Sequence, residues 1–229
     1  MMQKFMLGAY WDARADSLEK CTEDAARFLV RLAEIDPLLA SWYKRGRSRK
    51  GALERKVDIL DVQKLQDLLL AGRNRRDVDR EIIDELGYKL SLWNGAEEEE
   101  AEATVSIHCG AHNARIGNSV IIDLPYQSER SEWVGKASSL LALAAEVWQP
   151  NWAGIMSKMA MRERDFDGDN PFVDWMVYVP RKIALVPPPG RVEELAGLGS
   201  VIVVQPDPPV GAGPEELARI RQVERLLPA

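Results

Sequence analysis

The sequence predicts an α+β fold: a central, mostly antiparallel sheet with flanking helices in a single domain. Three strand patterns follow one another in the middle of the chain, over Tyr88–Trp93, Thr104–Cys109 and Ser119–Leu124. Consecutive strands in such a run favour antiparallel pairing. Helical periodicity precedes and follows this run. With 229 residues, the chain is long enough to bury a substantial core.

The first half of the chain is predicted to contain two long helices. Ser17 is the predicted N-cap of the first, which ends before Pro37 because the proline ring disfavours helical geometry in the preceding residue. The second helix covers Asp61–Ala71, and Gly72 is predicted to be its left-handed C-cap. Between them, Lys44–Gly51 has no apolar period and is predicted to be an exposed loop.

The second half is predicted to continue the α/β pattern within the same domain. A helix over Lys136–Trp148 is ended by Pro150. The only linker-like stretch, Pro187–Gly190, is too short to separate domains, so a single domain over residues 1–229 is expected. The remaining predicted elements are strands Phe5–Tyr10, Ala153–Ser157, Trp175–Val179 and Val201–Val204, a short helix ending at Gly87, and a helix over Glu215–Leu227.

Composition and charge limit the classes of function. The formal net charge of −6 disfavours nonspecific nucleic-acid binding and would attract a basic partner. Two cysteines, Cys21 and Cys109, are too few for a disulfide framework and are expected to be buried free thiols. The N-terminus lacks the sustained apolar run of a signal peptide, and no stretch approaches the ~20 apolar residues of a membrane helix. A cytoplasmic protein is therefore expected.

No catalytic constellation is evident in the sequence. His108 and Cys109 point to opposite faces of a strand and cannot pair within it. A zinc site built from them and His112 would lack normal spacing and a fourth ligand. We therefore expect no intrinsic catalytic activity, no cofactor and no tightly held metal.

Two charged segments leave other functions open. Asp165, Asp167 and Asp169 alternate in a loop, as Ca²⁺ or Mg²⁺ ligands do, but Gly168 comes early and Met176 stands where an EF-hand has glutamate. A metal-dependent enzyme using these carboxylates is therefore an alternative hypothesis. The basic run Lys44–Lys56, together with three arginines further on, is a candidate phosphate-binding surface for a nucleic-acid-binding protein. Those arginines are Arg73, Arg75 and Arg76.

Several short motifs, in order along the chain, resemble the immunity protein 52 family. The resemblance is closest over about residues 5–180 and looser over 187–229. The motifs are Gly8-Ala9-Tyr10-Trp11, Asp36-Pro37-Leu38-Leu39, Trp42-Tyr43-Lys44, Gly72-Arg73-Asn74-Arg75-Arg76-Asp77-Val78, Leu92-Trp93-Asn94-Gly95 and Trp148-Gln149-Pro150-Asn151-Trp152-Ala153.

The resemblance implies a bacterial immunity protein that binds and neutralises a cognate secreted nuclease toxin. Such a toxin belongs to a polymorphic or type VI secretion system and has a restriction-endonuclease-like fold. The protein would act by binding its toxin and would not contact nucleic acid itself. Trp11, Trp42 and Trp93 are then expected to hold the fold rather than touch the toxin.

The densest acid is the expected toxin-contacting surface, because a nuclease that grips a polyanion presents a basic groove. It falls in two loops, and either or both are candidates. The predicted toxin-binding residues are Glu97, Glu98, Glu99, Glu100 and Glu102 in one loop, and Asp165, Asp167 and Asp169 in the other.

Overall fold

A computed structural model gives the fold and describes residues 4–125, 130–209 and 213–227, with side chains from residue 134 onward in the second range. Within these residues there are six α-helices and ten β-strands whose pairings are antiparallel, so the predicted α+β class is confirmed. The chain forms two compact units, Trp11–Ile122 and Met1–Tyr10 with Asp123–Ala229. The expectation that residues 1–229 form a single domain stays a prediction.

The unit Trp11–Ile122 is built on strands in the spatial order β3-β2-β4-β5-β6. The predicted strands β4 and β5 have the bounds that their alternation indicated, and they pair along their whole length from Tyr88 opposite Cys109 to Trp93 opposite Thr104. The elements are α1 (Leu18–Ile35), β2 (Trp42–Lys44), α2 (Arg49–Leu53), β3 (Lys56–Val57), α3 (Val62–Ala71), β4 (Tyr88–Trp93), β5 (Thr104–Cys109) and β6 (Asn118–Asp123).

Helix α1 follows the sequence signals closely. The Ser17 side chain accepts a hydrogen bond from the Lys20 amide at 3.2 Å, which satisfies one of the free N–H groups of the first turn. The helix stops at Ile35, and Asp36 is extended ahead of Pro37 as expected. The apolar face is buried and packs against α3. Its buried apolar residues are Cys21, Ala25, Phe28, Leu29 and Leu32.

Gly72 has a different role from the predicted one. It is the C-cap of α3, but its φ is −82°, so it is not left-handed. A Cβ at this position would overlap the carbonyl oxygen of Lys89 on β4. Glycine is required here because the end of the helix passes directly against the strand backbone, and not because the chain turns.

The predicted exposed loop over Lys44–Gly51 is wrong in part. Lys44 ends the short strand β2, which pairs with both β3 and β4, and Arg49 begins the short helix α2. The Ser48 side chain caps this helix by accepting from the Gly51 amide at 3.2 Å. Elements of two to five residues are too short to show an apolar period, which explains why the pattern missed them.

The second unit has strands in the spatial order β1-β7-β8-β10-β9. Helix α4 packs on β7, β8 and β10, while a separate apolar cluster joins β8 and β10 to α6. Helix α5 and strand β9 were not predicted, because at least half of the residues in each are charged. The elements are β1 (Phe5–Trp11), α4 (Arg130–Trp148), β7 (Trp152–Ser157), α5 (Lys158–Glu163), β8 (Met176–Val179), β9 (Arg191–Leu195), β10 (Gly199–Val203) and α6 (Pro214–Glu224).

Tryptophans anchor the interior of both units. Trp11 and Trp42 are buried, as expected of fold-holding residues, but Trp93 is only half-buried. Three further tryptophans are almost completely buried: Trp148, Trp152 and Trp175. Among the residues that the structure describes, no helix combines the length and apolar character that a membrane span requires.

Candidate functional site

The glutamate loop, residues 94–103, connects β4 to β5 and exposes its acidic side chains. Glu97, Glu98, Glu99 and Glu100 are exposed, and Glu102 is half-buried. A short 3-10 turn, Glu99–Ala101, shapes the segment. The loop is therefore a defined, solvent-facing acidic surface.

The Asn94 side chain links the two ends of the glutamate loop by hydrogen bonds to the backbone. Its side-chain Nδ2 donates to the carbonyl oxygens of Ala101 at 2.7 Å and Leu38 at 3.1 Å. Its Oδ1 accepts from the amides of Ala103 at 3.0 Å and Ala96 at 3.3 Å. One side chain thus ties both ends of the loop together, so its glutamates are presented on a fixed backbone.

An aromatic pair lies beside the glutamate loop. Tyr43 and Trp93 are opposite each other in the β2–β4 register, both are half-buried, and their ring centroids are 6.3 Å apart. Gly95 has φ +79°, and a Cβ there would lie 2.5 Å from the Tyr43 ring, so the loop backbone is pressed against it. Half-exposed Tyr and Trp rings are typical anchors of protein interfaces.

The sheet face next to this pair is polar and accessible. Lys89, Ser91 and Ser106 are exposed, and the two serine hydroxyl oxygens are 3.2 Å apart across β4 and β5. On the opposite face, Leu90 and Leu92 are buried, and α3 packs against β4. The glutamate loop therefore extends from the edge of an exposed sheet surface.

The aspartate loop, residues 164–172, follows α5 and alternates between exposed acid and half-buried residues. Asp165, Asp167 and Asp169 are exposed. The Asp167 Oδ1 accepts from the Asp169 amide at 3.0 Å and the Asn170 amide at 3.4 Å. Asp167 is therefore engaged in its own turn.

Phe166 fixes the aspartate loop to the protein. Its ring lies 5.6 Å from Tyr10, 6.1 Å from Trp152 and 5.4 Å from Phe172, measured between centroids. The Trp152 indole N–H also donates to the Gly168 carbonyl oxygen at 3.1 Å. Burial raises the pKa of Tyr10 to about 12. An aromatic cluster thus lies directly beneath the exposed carboxylates.

Arg164 secures the other end of the aspartate loop. Its guanidinium lies 4.2 Å from the Phe172 ring centroid, donates to the Val173 carbonyl oxygen at 2.7 Å, and lies 3.4 Å from both Asp174 and Glu224. Asp174 is buried and accepts from the Ser157 amide at 2.7 Å. Burial raises the pKa of Asp174, although the hydrogen bond from the Ser157 amide and the positive charge of Arg164 both oppose that shift.

The three aspartates do not form a metal centre in this geometry. In the described ranges, no group of three or more His, Cys, Asp or Glu side chains is arranged to hold a metal ion. Asp165 adopts φ +47°, and Gly168 adopts φ +86°.

The basic run Lys44–Lys56 is divided among β2, α2 and β3. Arg49 lies 3.8 Å from Glu97, so the run and the glutamate loop partly neutralise each other. Of the arginines paired with this run in the nucleic-acid hypothesis, Arg73 pairs with Asp84, and Arg76 lies 3.4 Å from Glu81. These contacts weaken the case for a phosphate-binding surface.

Cys21, Cys109 and His108 lie in buried or partly buried surroundings that suit a structural role. Both cysteines are free and buried, as predicted. A hydrogen bond with the Cys21 thiol, followed by burial, raises the pKa of Cys109, which disfavours the reactive thiolate. The His108 Nε2 is 2.8 Å from the Leu86 carbonyl oxygen, and burial lowers its pKa. Cys109 is therefore poorly suited to nucleophilic chemistry.

Neither acidic loop shows a nucleophile–base pair, and both combine exposed charge with half-buried aromatic rings. These features are more typical of a protein-binding surface than of a reaction centre. The chain belongs to the family Immunity protein 52, which matches residues 3–229. Membership of this family supports an immunity role.

A comparison with solved structures concerns the fold. A solved structure described as "Pseudomonas aeruginosa T6SS protein PA0821" is similar, with a TM-score of 0.51 and 12% sequence identity. The similarity covers 98% of this chain and 72% of that one, and at this identity it concerns the fold alone. Comparison with curated proteins gives no match.

Sequence reasoning identified the acidic side chains but not the aromatic residues beside them. Tyr43 and Trp93 lie far apart in the sequence and meet only through strand pairing. Phe166 gave a local signal, because it is the one large apolar residue between alternating aspartates. Such a residue in a charged loop indicates an anchor.

Proposed function

We propose that this protein binds a secreted nuclease toxin of restriction-endonuclease-like fold and neutralises it, protecting the bacterium that produces the toxin. Family membership supports the immunity role. The printed description of the similar structure names a type VI secretion system protein, which favours delivery of the toxin by that route. In this proposal the protein inhibits the toxin by binding it, so the shape of the binding surface and its affinity for the toxin determine protection.

The proposed interface uses the glutamate loop, the aspartate loop, or both. The observation that supports it best is shared by the two loops: exposed carboxylates surround half-buried aromatic rings. Interfaces concentrate their binding energy in a few aromatic anchors, while charged groups at the rim guide association. Tyr43 and Trp93 are the proposed anchors for one loop, and Phe166 and Phe172 for the other. For Trp93 this proposal replaces the expectation from the sequence that its ring holds the fold without touching the toxin, because the ring is only half-buried.

Charge complementarity favours a nuclease as the partner. An enzyme that grips the phosphate backbone needs a basic groove, and an acidic inhibitor gains encounter rate by matching it. The chain carries a net charge of −6, and its acidic loops are solvent-facing. In this proposal the protein works in the cytoplasm, has no reaction or cofactor of its own, and makes no direct contact with nucleic acid.

Association kinetics test the assignment of the glutamate loop. The probe is the catalytically inactive form of the toxin domain encoded beside this chain's gene. Replacing Glu97, Glu98, Glu99 and Glu100 with Gln should slow association roughly tenfold at low salt and flatten its salt dependence. Dissociation should change less, because rim charges act mainly during encounter.

A matched control neutralises four other exposed glutamates of the same unit and should leave association nearly unchanged. These are Glu19, Glu23, Glu34 and Glu54. Replacing Asp165, Asp167 and Asp169 with Asn tests the second loop in the same way, and asparagine tolerates the left-handed backbone at position 165. A wild-type association rate at low salt for either variant removes that loop, and wild-type rates for both refute the acidic interface.

A further inference from the structure

The aromatic pair, Tyr43 and Trp93, borders two segments of opposite charge in the unit Trp11–Ile122. Strands β2 and β4 are antiparallel, so the chain leaves the two rings in opposite directions. Tyr43 leads into the basic run, Lys44–Lys56, and Trp93 leads into the glutamate loop. Lys56 on β3 is opposite Tyr43, so its side chain lies on the same face of the sheet as the rings. Basic, aromatic and acidic side chains are therefore neighbours on one surface.

The two charged segments are comparable in strength. The basic run contains seven exposed basic side chains and one exposed acidic side chain. The glutamate loop contains five glutamates, four of them exposed, and no basic residue. The segments border each other, because Arg49 on α2 lies 3.8 Å from Glu97. A protein that is acidic as a whole thus carries its basic patch directly beside its densest acid.

Most of this charge is not neutralised within the chain. The side chains of Arg49 and Glu97 are 47% and 78% exposed, and an ion pair this long and this exposed contributes little to stability. Within the part of the chain that the structure describes, the other six basic side chains of the run form no ion pair. Their charges remain accessible to a partner.

A partner that carries charge of one sign would match only one of these segments. A second copy of this chain carries both signs in the same arrangement. If a two-fold axis passes beside the aromatic pair, each glutamate loop faces the basic run of the other copy, and the half-buried rings of the two copies meet. Every charged segment then lies opposite its complement, and like charges are kept apart.

We infer that this surface joins two copies of the chain in a two-fold symmetric dimer. The interface consists of the glutamate loop, the aromatic pair and the basic run of each copy. Such a contact closes at two copies, and its dependence on charge pairs makes it sensitive to salt. The dimer covers the glutamate loop, so the dimer and the toxin complex exclude each other if this loop binds the toxin as proposed. That consequence rests on the proposed function, whereas the dimer itself does not.

Sedimentation velocity of this chain alone tests the inference without the toxin. Over a roughly hundredfold range of protein concentration at about 50 mM NaCl, the wild type should pass from monomer to dimer. Raising NaCl to about 500 mM shortens the screening length roughly threefold and should raise the dimer dissociation constant about tenfold or more. A wild type that stays monomeric at low salt, or that assembles beyond two copies, overturns the inference and leaves the proposed toxin binding standing.

Charge reversal on either segment should break the dimer, and mixing the two variants should restore it. Glu98→Lys with Glu100→Lys places like charges opposite the basic run, and Arg45→Glu with Arg47→Glu does so opposite the glutamate loop. Each variant alone should raise the dimer dissociation constant about tenfold or more at low salt. In an equimolar mixture, the reversed loop of one chain faces the reversed run of the other, so a heterodimer should form. A folding defect could not produce this rescue.

Glu23→Lys with Glu34→Lys is the matched control, because it makes the same charge change at two exposed glutamates on α1 of the same unit. It should leave the dimer dissociation constant near the wild-type value. Wild-type dimerisation by either reversed variant, or a mixture that stays monomeric, overturns the proposed interface. Binding of duplex DNA by monomeric wild type, lost on Arg45→Glu with Arg47→Glu, would also overturn it and would assign the basic run to phosphate.

Discussion

Asn94→Ala should destabilise the protein by opening the glutamate loop. The side chain makes four hydrogen bonds, three of them partly buried and one exposed. A protein hydrogen bond contributes about 1 kcal/mol net, and water replaces an exposed partner at little cost. Counting the two shorter partly buried bonds fully and the others partly gives a loss of about 2–3 kcal/mol in the free energy of unfolding.

Equilibrium urea denaturation followed by tryptophan fluorescence measures this loss. Asn113→Ala is the control, because the Asn113 side chain accepts one exposed hydrogen bond, from the Arg115 amide at 2.9 Å. It should cost about 0.5 kcal/mol or less. Equal stability losses for the two variants would refute the argument that Asn94 ties the loop together.

Three further predictions concern the interior. Trp42→Ala should cost about 3–5 kcal/mol of unfolding free energy, while Trp93→Ala should cost less because Trp93 is half-buried; equal losses by urea denaturation would contradict this. Burial raises the pKa of Asp174, so the folded state retains a proton that the unfolded state releases, and that contribution to stability falls as pH rises above the ordinary carboxyl range. Asp174→Asn keeps an acceptor for the Ser157 amide and should remove this decline in the free energy of unfolding. Urea denaturation between about pH 4 and 7 measures it. An unchanged pH profile would count against the buried Asp174 carboxylate as the source of the decline. Burial raises the pKa of both Tyr10 and Tyr178. Alkaline titration of tyrosinate absorbance should show a component with a pKa of about 12, and Tyr10→Phe should reduce that component by one tyrosine.

Apolar periodicity in the sequence was sufficient to predict the longer helices and strands of the fold. Helix α1 and strands β4 and β5 bury one face each, and a single buried face imposes a regular pattern on the sequence. Strand β9 escaped prediction because its sequence, Arg-Val-Glu-Glu-Leu, carries charge on both faces of an edge strand. Apolar periodicity in the sequence arises from a buried face, so it is weak in elements that bury little surface.

Gly72 and Tyr43 show why contacts between distant residues were missed. The sequence predicts Gly72 as a left-handed C-cap because glycine often has that conformation after a helix, but the requirement for glycine comes from the nearby Lys89 carbonyl oxygen. Tyr43 meets Trp93 through the β2–β4 register, which no local pattern specifies. The acidic side chains of each candidate site lie close together in the sequence. The Tyr43–Trp93 pair is brought together only by folding, whereas Phe166 and Phe172 lie within the aspartate loop itself.

Titration of DNA cleavage by the proposed nuclease toxin with this protein tests the central claim most directly. The proposed toxin is held at a fixed concentration well above the dissociation constant, and cleavage is followed as wild-type protein is added. Inhibition by binding predicts a linear loss of cleavage that ends at an equimolar amount, with a complex of the two chains recovered by size-exclusion chromatography. Undiminished cleavage at excess protein would contradict the account, and so would complete inhibition at a small fraction of an equivalent, because that result requires turnover.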